Sequence, residues 1–186
     1  MSTGDDNGVR LQRAIEKNLA DLSNSVLKRR AYNAFLSRRT SHSLDFYRIA
    51  IHALHNDMFA DASRVFDRHK DAASLWYIHR VTPEDFEAAA KAAGVSLARL
   101  GELAAKLHPI RNEVLAHTPK ASVVDPTKTW ERADMSGNEF IELTEGAYEV
   151  LRLLYLQLTG EDRPIPEYSG EDTADIAKYL LSRWSG

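Results

Sequence analysis

An arginine and a histidine lie six positions apart in the stretch KLHPIRNEVLAHTP, residues 106–119. Arg111 supplies a permanent cation with a planar fork of N–H donors, and His117 supplies a ring that titrates near neutral pH. On a helix, six residues correspond to roughly 9 Å along the axis and about 120° around it, so the two side chains flank one broad face. They are too far apart to bond each other. A small anionic group could bind between them, and a second copy of the segment could complete this binding site. Such an arrangement would suit phosphoryl chemistry.

Two prolines set the limits of this segment. Pro109 has no N–H and crowds the carbonyl four residues earlier, so we expect the preceding helix to kink or restart there. Pro119 biases Thr118 away from the helical region, which predicts a helix end near His117. In the last turn of a helix the backbone dipole favours a charged imidazolium. Spacing alone favours the simpler interpretation: a surface arginine, an exposed Asn112 and a histidine that contacts the last carbonyls.

Glu113 is a further candidate, because it lies four residues before His117 on the same helical face. Its carboxylate could hold a charged imidazole or contribute to substrate binding. An ordinary exposed pair at i, i+4 is the simpler interpretation, and we prefer it.

The string R-N-x-x-x-A-H resembles the signature of the HEPN superfamily. That signature has an arginine, a polar residue next to it, and a histidine after four to six intervening positions. Here five positions intervene, and Asn112 occupies the polar one. A second piece, RVFDRHKDAASLW at residues 64–76, resembles the middle of the abortive-infection U-type (AbiU-like) branch of that superfamily. We have no chemistry to assign to Asp67, Arg68 and Asp71 in this piece and expect them to form a charge network at a helix end.

The resemblance implies an all-α domain that forms a homodimer with two motifs facing each other. It implies a metal-independent endoribonuclease without a cofactor, acting on RNA as a toxin or in phage defence. The partners implied are an antitoxin or a neighbouring nucleotidyltransferase. Arg111 would then bind the scissile phosphate, His117 would be the general base, and Asn112 would orient the histidine or a phosphate oxygen. The alternative is a non-catalytic HEPN-like module that binds RNA, a nucleotide or a protein, or a purely structural helical dimer.

Composition and charge narrow the function classes. The 186 residues suit one domain, and 44% hydrophobic with 27% charged residues is typical of a globular protein. The absence of cysteine excludes disulfides, thiolate metal sites and a cysteine nucleophile. A net charge of −3 argues against a protein that coats nucleic acid non-specifically. Residues 1–80 nevertheless carry 13 Lys/Arg against 9 Asp/Glu, so the basic cluster at residues 28–30 fits either a solvated helix face or an RNA-backbone contact.

A metal site and a membrane segment are both unexpected. His52 and His55 form an H-x-x-H pair, with His79 and Asp45 as conceivable partners. Catalytic zinc needs three protein ligands, and no H-E-x-x-H motif or cysteine pair occurs, so we interpret these histidines as structural. No stretch approaches the roughly 20 apolar residues of a membrane helix. The first residues lack the apolar core of a signal peptide, and we expect a cytoplasmic protein.

Apolar residues recur at helical spacing along nearly the whole chain, which predicts an all-α bundle of about five to seven helices. We expect disorder over residues 1–8 and a HEPN-like helical bundle over residues 9–160. Residues 161–186 should form a linker and a short C-terminal helix that packs on the same domain. Residues 120–135 show little periodicity and predict a loop long enough for a lid or a partner contact. Capping signals are expected at Ser136 and at two helix-ending glycines, Gly94 and Gly160. Three tryptophans could stack on bases, although packing is the simpler interpretation for each of them: Trp76, Trp130 and Trp184.

Overall fold

A computed structural model describes residues 3–36, 45–116, 127–169 and 171–183 of the chain. Within these ranges the structure contains eight α-helices and one π-helical turn, without a strand. The all-α prediction is therefore confirmed. His117 and the expected helix break at residues 40–43 lie outside the described residues.

The first two helices are the long ones predicted for the N-terminal half. Helix α1 spans Thr3–Leu36 and α2 spans Asp45–Val65, and they pack against each other. The expected disorder over residues 1–8 is wrong for residues 3–8, which form the first turns of α1.

Three shorter helices follow. Helix α3 spans Leu75–Val81, α4 spans Pro83–Ala92, and α5 spans Leu97–Ile110. The proline at the start of α4 needs no N–H there, because the first residues of a helix have no intrahelical acceptor. Gly94 lies just after α4 and has φ of +69°, a conformation that glycine adopts without a Cβ clash. This confirms the predicted end of the helix at Gly94.

Helix α5 leads directly into the R-N-x-x-x-A-H motif. It continues through Pro109 to Ile110, and the residues Arg111–Ala116 form a π-helical turn. We expected a kink or a restart at Pro109. The structure instead changes from an α-helix to a π-helix two residues later, at Arg111. Pro109 cannot donate to the carbonyl of Ala105. Ala105 is exposed, so water can satisfy that carbonyl. Single π-helical turns within α-helices are frequent at functional sites.

The last three helices are α6 at Thr127–Ala133, α7 at Gly137–Thr159 and α8 at Glu171–Arg183. The predicted loop over residues 120–135 is wrong for residues 127–133. Thr129 and Ala133 are buried, so packing against the bundle stabilises a short helix that periodicity did not reveal. The predicted caps are confirmed, because the Ser136 hydroxyl accepts the Glu139 N–H at 3.1 Å and Gly160 has φ of +74°.

Helix α7 is central in the bundle and contacts α1, α4 and α5, while α8 contacts α1. Its buried face includes Phe140, Leu143, Ala147, Leu151, Leu154 and Tyr155. These side chains join the buried faces of α1 to α5 in one hydrophobic core. None of the helices described in the structure is both long enough and apolar enough to cross a bilayer.

Candidate functional site

The two sequence pieces that carry the HEPN resemblance meet in space. Arg111 begins the π-helical turn, and its Nη1 lies 2.7 Å from Oδ2 of Asp67, just after α2. The other oxygen of Asp67 accepts the backbone N–H of His69 at 3.0 Å, so both carboxylate oxygens are held. The Arg111 side chain is 42% exposed. A guanidinium has five N–H donors, so this ion pair positions Arg111 and leaves capacity for an anion.

Arg111 lies on the wall of a cavity of about 280 Å³ between the end of α2 and helix α5, which we call the motif cavity. Its lining consists of Ser63, Phe66, Asp67, Arg68, Ala104, Ala105, Leu107, His108 and Arg111. The polar side-chain groups at this wall are a hydroxyl, a carboxylate, two guanidinium groups and an imidazole. This set of groups suits a small anionic ligand.

His108 is the residue at this site that the sequence interpretation missed. The side-chain nitrogen of Asn112 lies 2.9 Å from Nε2 of His108. An amide nitrogen can only donate, so Nε2 of His108 is the acceptor in this contact. The i, i+4 spacing of the two residues was the available signal. Asn112 was expected to orient His117; its observed partner within the described ranges is His108.

The second piece also supports the wall of the motif cavity. Nη2 of Arg68 donates to the carbonyl of Gly101 at 3.1 Å, and the guanidinium lies 5.0 Å from the ring centre of Trp76. Trp76 itself donates from Nε1 to the carbonyl of Phe66 at 3.2 Å. Gly101 permits this arrangement, because a Cβ there would lie 2.7 Å from Nη2 of Arg68.

Glu113 faces helix α6. The hydroxyl of Thr129 donates to Glu113 Oε2 at 2.9 Å, and Arg132 forms an ion pair with the same oxygen. The contact ties the π-helical turn to α6, which the sequence did not predict. A role for Glu113 in substrate binding stays a prediction.

The histidines considered for a metal have separate surroundings. His52 is exposed, whereas the ring of His55 lies between aromatic rings, 5.0 Å from Phe59 and 5.1 Å from Trp130. Burial lowers the pKa of His55, and a hydrogen bond to the neighbouring Asn56 opposes this effect only in part. His79 lies 3.7 Å from Glu87. Among the residues that the structure describes, no three His, Asp or Glu side chains are grouped so that they could hold a metal ion.

The basic cluster at residues 28–30 contacts protein groups. Lys28 forms an ion pair with Asp61 at 2.7 Å, and Arg30 donates to the carbonyl of Pro166 at 3.1 Å. Arg29 is only 9% exposed and pairs with Glu145 at 2.5 Å. For Arg29, the solvated helix face is therefore the wrong interpretation.

Comparison with known families identifies the chain. Residues 12–179 match the HEPN family AbiU2. The chain belongs to this family. The match includes both sequence pieces, the motif cavity and helix α6, so the resemblance to the AbiU-like branch is confirmed. No curated protein and no solved structure matches the chain.

In this HEPN protein the groups described so far can bind and orient an anion. Arg111 supplies the cation, and Asp67 fixes it. Asn112 and His108 supply polar groups in the same region. His117 follows the π-helical turn by one residue in the sequence.

Proposed function

We propose that this protein is an endoribonuclease of the HEPN type, active as a homodimer in the cytoplasm and serving as a toxin or a phage-defence component. One observation carries the proposal. The arginine of the R-N-x-x-x-A-H motif lies at a small cavity, partly exposed and anchored 2.7 Å from a carboxylate that belongs to the second family-like piece. An antitoxin or a nucleotidyltransferase would be the partner that restrains it.

The reaction we propose is attack of a ribose 2′-oxygen on its own adjacent phosphorus atom. His117 takes the proton from the 2′-hydroxyl as general base. The bond from phosphorus to the 5′-oxygen breaks, and that oxygen takes up a proton from the partner subunit's His117 acting as general acid. The products are a 2′,3′-cyclic phosphate and a 5′-hydroxyl. Arg111 binds the non-bridging oxygens and stabilises the charge that develops on them.

Cleavage of single-stranded RNA by the purified full chain, with and without EDTA, tests the proposal. We expect cleavage in both conditions and a loss of roughly 10²- to 10⁴-fold in H117A, the usual contribution of a general acid or base. R111K should lose most of the activity as well, because an ammonium lacks the planar fork. H52A is the matched control, since His52 is exposed on α2 and outside the site. Replacing the 2′-hydroxyl by hydrogen throughout the substrate should abolish cleavage.

Two results would contradict the nuclease. Full cleavage by a folded H117A, or cleavage of the deoxy substrate, would remove the proposed chemistry. Saturable RNA binding that depends on Arg111, with intact RNA recovered from every variant, would instead favour a non-catalytic HEPN module. Circular dichroism of each variant confirms that the helical fold is retained.

A further inference from the structure

A second cavity, of about 270 Å³, lies between α1, α2, α6 and the start of α7. We call it the aromatic cavity. The lining residues that matter here are Arg29, Tyr32, His55, Phe59, Trp130 and Phe140. Among the residues that the structure describes, none lines both this cavity and the motif cavity.

Arg29 is the charged group of the aromatic cavity. Its Nη2 is paired with Glu145, whereas its Nε and Nη1 are buried and have no hydrogen-bond partner among the described residues. A buried donor without an acceptor destabilises a fold, and more so when the group is charged. Arg29 lines the aromatic cavity, so an acceptor atom of a bound molecule is one way in which these donors could be satisfied.

The other walls are aromatic. Ring centres of Tyr32, Phe59 and Trp130 lie within 5.5 Å of a neighbouring ring, and the rings are tilted by 42° to 67° instead of stacking face to face. Tilted contacts do not cover a neighbouring ring face to face, so they are compatible with a further planar group against one of the rings. Burial lowers the pKa of His55, which favours the neutral form of the ring near Arg29.

We propose that the aromatic cavity binds one unpaired nucleobase, which stacks on Trp130 and accepts hydrogen bonds from Arg29. Ligand sites for larger molecules occupy about 300 to 1,000 Å³, so a cavity of this volume suits a single base with its sugar. Aromatic faces accept any base, and base edges carry the acceptor atoms that buried arginine donors need. A base within a duplex could not enter, so the base must be unpaired.

Helix α6 connects this cavity to the motif turn. Trp130 lines the cavity, and the preceding residue, Thr129, donates to Glu113 of the π-helical turn. Consecutive Cα atoms are about 3.8 Å apart, so α6 lies beside both the aromatic cavity and the π-helical turn. This inference rests on the proposed RNA substrate and gives it a preference for a strand that carries an unpaired base.

Calorimetric titration of full-length H117A, which should leave RNA intact, tests the cavity directly. The probes are adenosine, guanosine, cytidine and uridine 5′-monophosphates, with ribose 5-phosphate as the control that lacks a base. We expect saturable binding of at least one nucleotide that is clearly tighter than any binding of ribose 5-phosphate, whose phosphate could still reach Arg111. W130L should weaken binding about tenfold or more, whereas W130F keeps a stacking ring and should stay within about threefold. R29K keeps a cation for Glu145, removes the guanidinium donors, and should also weaken binding about tenfold.

A single-stranded RNA in which each base in turn is removed tests the same cavity within a strand. One abasic position should weaken binding to H117A about tenfold, and the others should have little effect. No binding of any nucleotide together with no sensitive abasic position would overturn the proposal. So would equal binding of ribose 5-phosphate, or unchanged binding in both R29K and W130L. If W130L does not fold, R29K and the abasic series decide.

The results separate this inference from the nuclease. Base binding without RNA cleavage by the unsubstituted protein would support the base site and contradict the nuclease proposal. Cleavage by the unsubstituted protein, with no base binding and no sensitive abasic position, would support the nuclease proposal and contradict the base site.

Discussion

The ion pair between Arg111 and Asp67 connects two segments that are more than forty positions apart in the sequence. Asp67 has a side chain that is only 17% exposed, and its second oxygen accepts a backbone N–H. A carboxylate held in this way fixes the direction of the guanidinium. It also lowers the net positive charge that an incoming phosphate meets. Asp67 is therefore a positioning residue in the proposed reaction.

Replacement of Asp67 by asparagine should reduce the rate of RNA cleavage by roughly 10- to 100-fold, because a misplaced phosphate-binding group costs rate at the reacting centre. RNA binding should change less, or tighten, since Arg111 gains net positive charge. Single-turnover cleavage and equilibrium binding, measured on the same preparations, separate the two effects.

Asp71 provides the matched control for Asp67. It lies in the same loop with its side chain 74% exposed, and its carboxylate lies 3.8 Å from His69. We expect D71N to cleave RNA within about threefold of the original protein, as surface ion pairs contribute little. Equal rates for D67N and the original protein would show that Arg111 needs no carboxylate to position it.

Two glycines inside helices show how neighbouring elements constrain each other. A Cβ at Gly101 of α5 would lie 2.7 Å from Nη2 of Arg68, which is the far end of a flexible side chain. A Cβ at Gly146 of α7 would lie 2.7 Å from Cγ2 of Val95. Valine is branched at Cβ and has little freedom to move aside. The same apparent overlap therefore has different consequences in the two helices.

Alanine at these two positions should change the free energy of unfolding in opposite directions. G101A should be neutral or more stable by up to about 1 kcal/mol, because alanine favours the helix and Arg68 can shift. G146A should be less stable by about 1 to 2 kcal/mol, since overpacking exceeds the gain in helix propensity. Urea denaturation followed by circular dichroism measures both values.

Gly8 of α1 supplies the reference, because a Cβ there would have no neighbour within 4 Å. The change in G8A should reflect helix propensity alone. If G146A and G8A change the free energy of unfolding equally, α7 and the segment that carries Val95 can move apart without a cost in stability.

The histidine at the centre of the aromatic rings makes the stability of the whole bundle depend on pH. His55 on α2 contacts Tyr32 of α1 and Trp130 of α6, so its protonation affects three helices. Burial holds the pKa of His55 below its ordinary value of 6.5. As the pH falls, the unfolded chain takes up this proton before the folded one does. The free energy of unfolding therefore decreases as the pH falls through the ordinary pKa towards the folded one.

Glutamine at position 55 should remove this contribution. The stability of the original protein relative to H55Q should decrease steadily as the pH is lowered from about 7.5 to about 5.5. Urea denaturation of both proteins at several pH values measures the difference. H52Q, three residues earlier at an exposed position, should show a much smaller trend. A difference between H55Q and the original protein that does not vary with pH would contradict burial of a neutral imidazole.

Helical periodicity, proline and glycine positions and capping residues predicted most of the helices, because these signals act within a few residues. Ser136 and Gly160 set the ends of α7 as expected. Helix α6 was missed, since its stability comes from burial of Thr129 and Ala133 against other helices. Residues 3–8 were missed because a polar sequence carries no apolar period.

The sequence by itself determined the fold class and the family, since both rest on local patterns and on short strings of residues. It also identified Arg111 and Asn112 as candidates. Only the tertiary structure placed Asp67 beside Arg111, His108 beside Asn112, and Arg29 with unpaired donors among aromatic rings. Most of these contacts join residues far apart in the chain, where no local spacing records which side chains will meet. Burial, which decides whether an arginine is solvated or lacks partners, is likewise a property of the assembled bundle.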